Sequence, residues 1–291
     1  METIEVEANG IRHSALVAGS GPLVLCLHGF PDDARTYRYH VPALVAAGYR
    51  VVCPYLRGYA PSEPAPDGNY QTAALAHDAI ALIDELGDGS AAVVGHDWGA
   101  ITAYGVAVLA PHKVRRLATL AVPYGPQLAT AFLTNYAQQK RSWYMYFFQL
   151  PTAEMSVAHD DLAFIRELWR DWSPGFEDRD GVVDGVVETL SKPGVLDAAL
   201  GYYRSMWQPE RQDPALAADQ GRIVADPVTV ETLYLHGADD GCLGVELTEG
   251  MEAAFPGGLT KEVVDGAGHF LHLEKPDLVT ERIVEFFGTA D

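Results

Sequence analysis

An aspartate between two glycines is the residue of this chain most clearly placed to do chemistry. From Ala92 to Ala100 the sequence runs as an apolar strand, then Gly-His-Asp-Trp-Gly, then the start of an alanine-rich helix. In such a nucleophile elbow the flanking Gly95 and Gly99 let crowded backbones approach, and the strained central side chain stands above the sheet. Asp97 could instead be a simple helix N-cap. The glycines and the preceding strand favour a nucleophile.

A carboxylate at this turn predicts a different reaction from the serine that often occupies it. An activated serine attacks acyl carbons, whereas a carboxylate displaces at a strained or halogen-bearing sp³ carbon and forms an alkyl ester. Water must then cleave that ester at its carbonyl carbon, which requires a general base and N–H donors for the oxyanion. The sequence therefore predicts a two-step hydrolysis in which Asp97 carries the intermediate.

Two motifs resemble those of known enzymes. Gly-His-Asp-Trp-Gly-Ala after a strand, with His-Gly-Phe-Pro upstream, resembles the pattern of α/β-hydrolase-fold epoxide hydrolases and haloalkane dehalogenases, which both use an aspartate nucleophile. The similarity extends over essentially the whole chain. It implies an oxyanion hole made by the backbone N–H groups of Phe30 and Trp98. Their places, on the loop after the third strand and at a helix N-terminus, agree with that role.

The resemblance also implies a histidine base late in the chain and an acid that orients it. Among ten histidines, His269 lies in a glycine-rich loop after the last predicted strand, in the expected order of nucleophile, acid and base. The loop after the preceding strand offers Asp239 and Asp240, and the family pattern Gly-x-x-Asp selects Asp240, with Asp239 as the alternative. Asp240 is expected to fix the imidazole tautomer and stabilise the imidazolium. We expect His96 and His272 to be structural.

Two aromatic segments predict the leaving group. An epoxide oxygen needs a proton or hydrogen-bond donor as it leaves, and a tyrosine hydroxyl stays protonated at pH 7. Residues 143–151 and 201–206 resemble the two donor segments of epoxide hydrolases, and the resemblance implies Tyr144 and Tyr203 as the donors. Because the chain has 14 tyrosines, one cluster alone could be helix packing. Two clusters that match two family segments favour the donors.

Three other functions fit parts of the pattern less well. Many haloalkane dehalogenases carry Asn where this chain has Phe30. Without that Asn, a leaving halide would have the N–H group of Trp98 but no second side-chain N–H donor. A fluoroacetate dehalogenase needs a cationic residue after the nucleophile to hold the substrate carboxylate, and this chain has Trp98 there. A non-catalytic binding protein on the same scaffold is disfavoured because all five expected catalytic side chains are present. The predicted reaction is hydrolysis of a small neutral epoxide by water to a vicinal diol.

A mostly parallel sheet must position these residues. Short apolar strands alternate with longer amphipathic segments, which predicts the α/β class and, by the resemblance, the α/β-hydrolase fold with flanking helices. The first two strands form a hairpin at Asn9-Gly10. The predicted strands are Glu2–Glu7, Arg12–Ala18, Leu23–Leu27, Arg50–Cys53, Ala91–Val94, Leu117–Val122, Thr232–Leu235 and Glu262–Val264.

The character of the chain changes between Pro123 and Pro214. Strand-like runs vanish there, and aromatic and acidic helical segments such as Trp143–Gln149 and Leu162–Trp172 replace them. We therefore predict a helical cap, residues 123–214, inserted after the sixth strand of a catalytic domain formed by residues 1–122 and 215–291.

Composition limits the partners. The 291-residue chain has a formal net charge of −20, which repels nucleic acid and anionic membrane surfaces. No apolar run is long enough to span a membrane. An acidic, alternating start in place of a secretion signal predicts a cytoplasmic location, and a homodimer is among the assembly states left open.

No cofactor or metal is predicted. The sequence contains no dinucleotide-binding fingerprint, phosphate-binding loop or metal-ligand spacing. Its three cysteines, Cys26, Cys53 and Cys242, are expected to be small core residues.

Overall fold

Eight strands form a single sheet in the computed structural model, which describes residues 1–290. Their order across the sheet is β1-β2-β4-β3-β5-β6-β7-β8. The first two pairings, β1 with β2 and β2 with β4, are antiparallel, and all the others are parallel. The predicted α/β-hydrolase fold is confirmed. The strands are β1 Glu2–Ala8, β2 Ile11–Ala18, β3 Leu23–Leu27, β4 Arg50–Pro54, β5 Ala91–His96, β6 Val114–Leu120, β7 Thr232–Gly237 and β8 Leu259–Val264.

Local sequence explains most of these elements. Asn9 and Gly10 have positive φ angles of 50° and 74°, the conformation that a two-residue hairpin turn requires and that Asn-Gly favours. The apolar runs of β3, β5 and β7 are buried at every residue, as expected for central strands of a covered parallel sheet.

The sixth strand starts earlier than predicted, at Val114 rather than Leu117. Two arginines interrupt its apolar pattern, but both side chains leave the sheet. Arg115 donates to the carbonyl of Leu23, and Arg116 pairs with Glu231 at 3.0 Å. The backbone therefore remains extended although the residues are charged.

Helices fill the chain between β6 and β7, where the described residues contain no strand. The predicted segments Trp143–Gln149 and Leu162–Trp172 lie largely in α6 and α7, and α7 has non-helical backbone from His159 to Leu162. Within residues 1–290, no helix is both long and apolar enough to cross a membrane. The helices are α1 Val41–Ala46, α2 Thr72–Leu86, α3 Trp98–Leu109, α4 Pro126–Thr134, α5 Tyr136–Arg141, α6 Trp143–Phe147, α7 Ala153–Trp172, α8 Val182–Leu190, α9 Val195–Trp207, α10 Ala217–Ala225, α11 Leu271–Glu274 and α12 Pro276–Phe287.

One hydrophobic core joins the sheet to these helices. Buried strand residues such as Leu25 and Val94 belong to the same contact cluster as Tyr144 of α6, Trp169 of α7 and Leu200 of α9. Because the cluster is continuous, the helices after β6 are fixed against the ends of the strands. The division into a catalytic domain and a cap stays a prediction.

Candidate active site

Asp97 occupies a strained turn between β5 and α3. Its φ and ψ are 52° and −121°, a region that residues with a side chain rarely adopt. A methyl group on Gly99 would lie 1.9 Å from the carbonyl oxygen of Leu27, and one on Gly95 would lie 2.3 Å from that of Gly99. The Asp97 side chain makes no capping hydrogen bond to α3. The N-cap interpretation is therefore wrong, and the carboxylate is free for another role.

The loop after β3 holds one oxygen of that carboxylate. The backbone N–H of Phe30 donates to Asp97 Oδ1 at 2.7 Å. The two residues meet because β3 and β5 are hydrogen-bonded neighbours whose carboxyl ends lie together. Trp98 is the first residue of α3, where helix N–H groups have no intrahelical acceptor.

His269 and Asp240 face Asp97 from the ends of β7 and β8, on the far side of β6 in the sheet. Asp240 follows β7 and His269 follows β8, and these strands also pair. His269 Nδ1 lies 2.9 Å from Asp240 Oδ2, and its Nε2 lies 3.4 Å from Asp97 Oδ2. The three predicted side chains therefore meet in one buried line, with the histidine in the middle.

The geometry favours Asp240 over Asp239 as the acid. Asp240 is buried, and its Oδ1 accepts hydrogen bonds from the backbone N–H groups of Cys242 and Leu243 at 2.7 and 2.8 Å. The Asp239 side chain is exposed. Adjacent residues could not be separated by sequence spacing, but the turn directs only one of them inwards.

The backbone of His269 is held from both sides. Its N–H donates to the carbonyl of Trp172 at 2.9 Å, and its own carbonyl accepts from His96 Nε2 at 2.9 Å. The Trp172 ring also packs edge-on against the imidazole, with centroids 5.2 Å apart. His96 thus has the structural role expected from sequence. The contribution of Trp172 was missed, because a helix carbonyl distant in the chain leaves no motif.

The electrostatics of the pair favour a charged histidine. Burial alone would lower the pKa of His269, but Cys242, Asp240 and the contact with Asp97 raise that pKa well above its ordinary value. Burial would likewise raise the pKa of Asp240, yet His269 holds it below its usual range. The site is therefore built to stabilise an imidazolium, the state formed when a histidine accepts a proton.

Tyr144 and Tyr203 lie together on α6 and α9. Their ring centroids are 5.6 Å apart. Tyr203 packs edge-on against both Phe30 and Trp98, at 5.2 and 5.1 Å, and Tyr144 packs against Trp172 at 4.8 Å. The structure thus brings both predicted tyrosines against the residues that surround Asp97 and His269.

The two hydroxyls have unfilled hydrogen-bonding capacity. The Tyr203 hydroxyl is buried and makes no hydrogen bond to any described residue, whereas that of Tyr144 contacts only Cys242 Sγ, at 3.3 Å, among the printed hydrogen bonds. Buried polar groups are rarely left unpaired, so such a hydroxyl indicates a missing ligand. Burial raises the pKa of both tyrosines well above the ordinary value. Both therefore stay protonated and can donate.

The prediction that the three cysteines are buried core residues is confirmed. Cys26 and Cys53 do lie buried in β3 and β4. Cys242 is buried too, but its sulfur lies close to Asp240 and His269 as well as to Tyr144. Its position two residues after Asp240 was the available sequence signal.

An apolar cavity of about 320 Å³ adjoins the site. Trp98 and Tyr202 line it, together with Leu128 and Met206. The Trp98 ring that borders this cavity also packs on Tyr203. A volume of this size accommodates the apolar body of a small molecule.

Comparisons with known proteins identify the family of this chain. Residues 22–276 match the sequence profile of a family described as alpha/beta hydrolase fold. The chain belongs to this family. It is 31% identical to the AB hydrolase superfamily protein YfhM of Bacillus subtilis, over 97% of this chain and 96% of that protein. It is 28% identical to Epoxide hydrolase A of Mycobacterium tuberculosis, over 97% and 95% of the two chains.

A solved structure is also similar over the full length. Bacillus megaterium epoxide hydrolase, crystallised with an inhibitor, superposes with a TM-score of 0.84 and 26% identity, covering 98% of this chain and 99% of that one. The resemblance to α/β-hydrolase-fold epoxide hydrolases that the motifs predict is confirmed.

Proposed function

We propose that this chain is an epoxide hydrolase that converts a small neutral epoxide and water into a vicinal diol. The observation that carries the proposal is a carboxylate, rather than a hydroxyl, at the elbow, with His269 Nε2 at 3.4 Å from Asp97 Oδ2. A carboxylate suits attack on a strained carbon. The similarity to proteins named epoxide hydrolases supports the same reaction.

In the first step Asp97 attacks one epoxide carbon. The N–H of Phe30 engages Oδ1, which leaves Oδ2 as the attacking oxygen. A carbon–oxygen bond forms to Asp97 while the carbon–oxygen bond of the epoxide breaks. Tyr144 and Tyr203 donate to the departing oxygen, and one of them transfers its proton to give the alcohol of the ester intermediate.

In the second step His269 activates water. Alkylation removes the negative charge of Asp97, one of the groups that raise the pKa of His269; the imidazolium then passes its proton to the tyrosinate, which restores the tyrosine and leaves a neutral imidazole base. It takes a proton from water, which attacks the ester carbonyl, while the N–H groups of Phe30 and Trp98 stabilise the oxyanion. The acyl–oxygen bond breaks, the proton of the added hydroxyl passes to the departing alkoxide, the diol leaves with an Asp97 oxygen, and His269 is again protonated beside the Asp97 carboxylate.

The helices after β6 complete the site. We propose residues 123–214 as a cap that carries Tyr144 and Tyr203 and excludes bulk water. The cavity lined by Trp98, Tyr202 and Met206 would take the apolar substituent of the epoxide. A halide-releasing reaction is disfavoured because Phe30 supplies no side-chain donor and because two phenols suit an oxygen leaving group better.

The path of oxygen tests this mechanism. Excess enzyme and a terminal aryl epoxide are mixed in ¹⁸O-water for a single turnover, and the diol and the peptide containing Asp97 are analysed by mass spectrometry. We expect ¹⁸O in the peptide and little in the first diol, with labelled diol only after repeated turnovers. Label in the first diol with an unlabelled peptide would exclude the ester. Halide release from a haloalkane, with no diol from epoxides, would exclude the proposed reaction altogether.

A further inference from the structure

The C-terminal end of α7 contacts three loops of the site that are far apart in the chain. The last turn of this helix, Trp169–Trp172, and Ser173 after it lie against the loops that follow β3, β7 and β8. These loops carry Phe30, Asp240 and His269, which the proposed reaction uses. Trp169 and Ser173 are buried, and the reaction as described assigns neither of them a role.

A single carbonyl oxygen joins the acid loop to the base loop. The carbonyl of Trp172 accepts the N–H of Gly241 at 3.1 Å and the N–H of His269 at 2.9 Å. Carbonyl groups in the last turn of a helix have no intrahelical donor, so this one is available to both loops. Gly241 directly follows Asp240. The helix end therefore fixes the distance between the backbone of the acid and the backbone of the base.

Two glycines show how closely these loops approach the helix end. A methyl group on Gly241 would lie 1.9 Å from the carbonyl oxygen of Asp171. One on Gly268 would lie 2.6 Å from the carbonyl oxygen of Trp172. A side chain at either position would push its loop away from α7, so the close contact depends on glycine beside both the acid and the base.

Trp169 connects the base loop to the oxyanion loop. Its ring stacks on Phe270, with centroids 3.5 Å apart and planes 3° apart, and the Ser173 hydroxyl oxygen accepts the N–H of Phe270 at 2.9 Å. The indole N–H of Trp169 donates to the carbonyl of Pro31 at 2.9 Å. Phe270 and Pro31 directly follow the base and the oxyanion-hole residue. One side chain thus contacts both loops.

The contact with Pro31 acts on the hydrogen-bond donor to the nucleophile. The N–H of Asp32 donates to the carbonyl of Gly29 at 3.2 Å and closes a turn that contains Phe30 and Pro31. From this turn the N–H of Phe30 donates to Asp97 Oδ1. Because the turn is short and closed, a donor that holds the Pro31 carbonyl also fixes the direction of the Phe30 N–H.

We propose that Trp169 and Ser173 are positioning residues for hydrolysis of the ester, and that the end of α7 holds the oxyanion loop and the base loop in place. This role rests on the proposed function. During alkylation Asp97 Oδ1 loses charge, so the Phe30 N–H is needed least in that step. During hydrolysis an oxyanion develops on this oxygen, and His269 must also reach water. Displacement of the two loops should therefore slow the second step selectively.

Trp169→Phe tests the link between the loops. Phenylalanine keeps an aromatic ring for Phe270 but has no donor for Pro31. Ester formation and ester decay are measured separately by rapid quench in a single turnover of a terminal aryl epoxide. We expect ester decay to slow by about tenfold or more, because the oxyanion donor and the base are both misplaced, while ester formation changes by less than about threefold.

Ser173→Ala tests the base loop alone. It removes only the acceptor of the Phe270 N–H and should slow ester decay by about threefold or more, with ester formation unchanged. Val157→Ala is the matched control, because Val157 is buried in the same helix but lies before the non-helical stretch from His159 to Leu162. This control lowers stability and should leave the ratio of the two rates as in the wild type.

Two kinetic outcomes would overturn the positioning role. One is equal slowing of both steps in Trp169→Phe, which is the effect expected of a general loss of structure. The other is a ratio of rates in both Trp169→Phe and Ser173→Ala that matches the ratio in Val157→Ala. If Trp169→Phe does not fold, judged by near-ultraviolet circular dichroism, Ser173→Ala decides.

Hydrogen exchange in the free enzyme tests the holding contact without the reaction. Peptides that contain Phe30 and His269 should exchange about tenfold faster in Trp169→Phe, while the peptide of β6 exchanges as in the wild type. Unchanged exchange in both loop peptides would show that α7 does not hold the loops. If no epoxide is hydrolysed, the proposed function fails, and this comparison still decides whether the contact positions the two loops.

Discussion

Asp97, Asp240 and His269 follow strands of the sheet, whereas Tyr144 and Tyr203 lie on helices between β6 and β7, and different forces hold the two sets. The strand-borne groups have directional partners: Phe30 N–H for Asp97, two backbone N–H groups for Asp240, and the Nδ1 contact of His269. The tyrosines are held by aromatic packing, and their hydroxyls are almost free of partners.

The difference reflects what each set has to do. A buried charge is stable only if hydrogen bonds or an opposite charge compensate it, so the carboxylates need fixed donors before substrate arrives. A phenol that donates to a leaving oxygen must keep its hydrogen available. Carboxylates held by fixed N–H donors and phenols with almost no hydrogen-bond partners are therefore both expected of a prepared site.

The largest effect should come from Asp97→Asn. An amide provides no carboxylate nucleophile, so diol formation should fall by about 10⁴-fold or more, the scale seen when a catalytic nucleophile is removed. Diol is measured by chromatography, and thermal unfolding serves as the control for folding. Retained activity without deamidation back to Asp, checked by mass spectrometry, would show that Asp97 is not the nucleophile.

His269→Gln should separate the two steps. Alkylation needs only Asp97 and the tyrosines, so intact mass should increase by the mass of the epoxide and the adduct should persist. A variant that binds the epoxide but gains no mass would contradict the role of His269 as the hydrolytic base.

In the wild-type enzyme, hydrolysis of the ester should depend on pH in the way expected if His269 is the base. The base must be neutral, so decay of the ester should slow as pH falls through the pKa of His269 in the alkylated enzyme. Because the raised pKa of His269 depends partly on Asp97, this transition should lie below that of the free enzyme. Rapid-quench measurements of adduct decay at several pH values locate this transition. A decay rate that rises as pH falls would contradict the role of His269 as the base.

The helix-borne set is tested by Tyr144→Phe and Tyr203→Phe. Each should slow alkylation by about 10²- to 10³-fold, by analogy with loss of an oxyanion donor, with little change in binding. Tyr146→Phe is the matched control, because Tyr146 is partly exposed and its hydroxyl donates to the Phe132 carbonyl. Full turnover by Tyr203→Phe would show that the reaction does not need the unpaired Tyr203 hydroxyl. It would favour a halide-releasing reaction over epoxide opening.

The smallest effect concerns how the helices are fixed. Arg204 donates to the carbonyl of Phe148 at 3.1 Å and to Asp197 at 2.7 Å, and so ties α9 to the end of α6. Arg204→Met keeps the apolar stem but loses both bonds, and should lower the free energy of unfolding by about 1 to 2 kcal/mol. Urea denaturation measures this change. A loss of alkylation as large as that of Tyr203→Phe would mean that hydrogen bonds, rather than aromatic packing, position the tyrosines.

The sequence by itself determined the elements and the turn that presents Asp97. Period-two and continuous apolar runs located all eight strands, and Gly95 and Gly99 marked a turn too crowded for any larger residue. These features depend on neighbours in the chain, so a local pattern suffices to identify them. Tyr144 and Tyr203 were found through resemblance to a family, since their aromatic surroundings are also typical of ordinary helix packing.

Only the tertiary structure decided between Asp239 and Asp240, brought Cys242 into the site and left the Tyr203 hydroxyl without a partner. Each of these facts is a distance between residues far apart in the chain. Such distances follow from the pairing of β7 with β8 and from the packing of α6, α7 and α9 against the strand ends. Apart from the two-residue spacing of Asp240 and Cys242, no periodicity or spacing indicates these distances, because packing is a property of the assembled core rather than of any single segment.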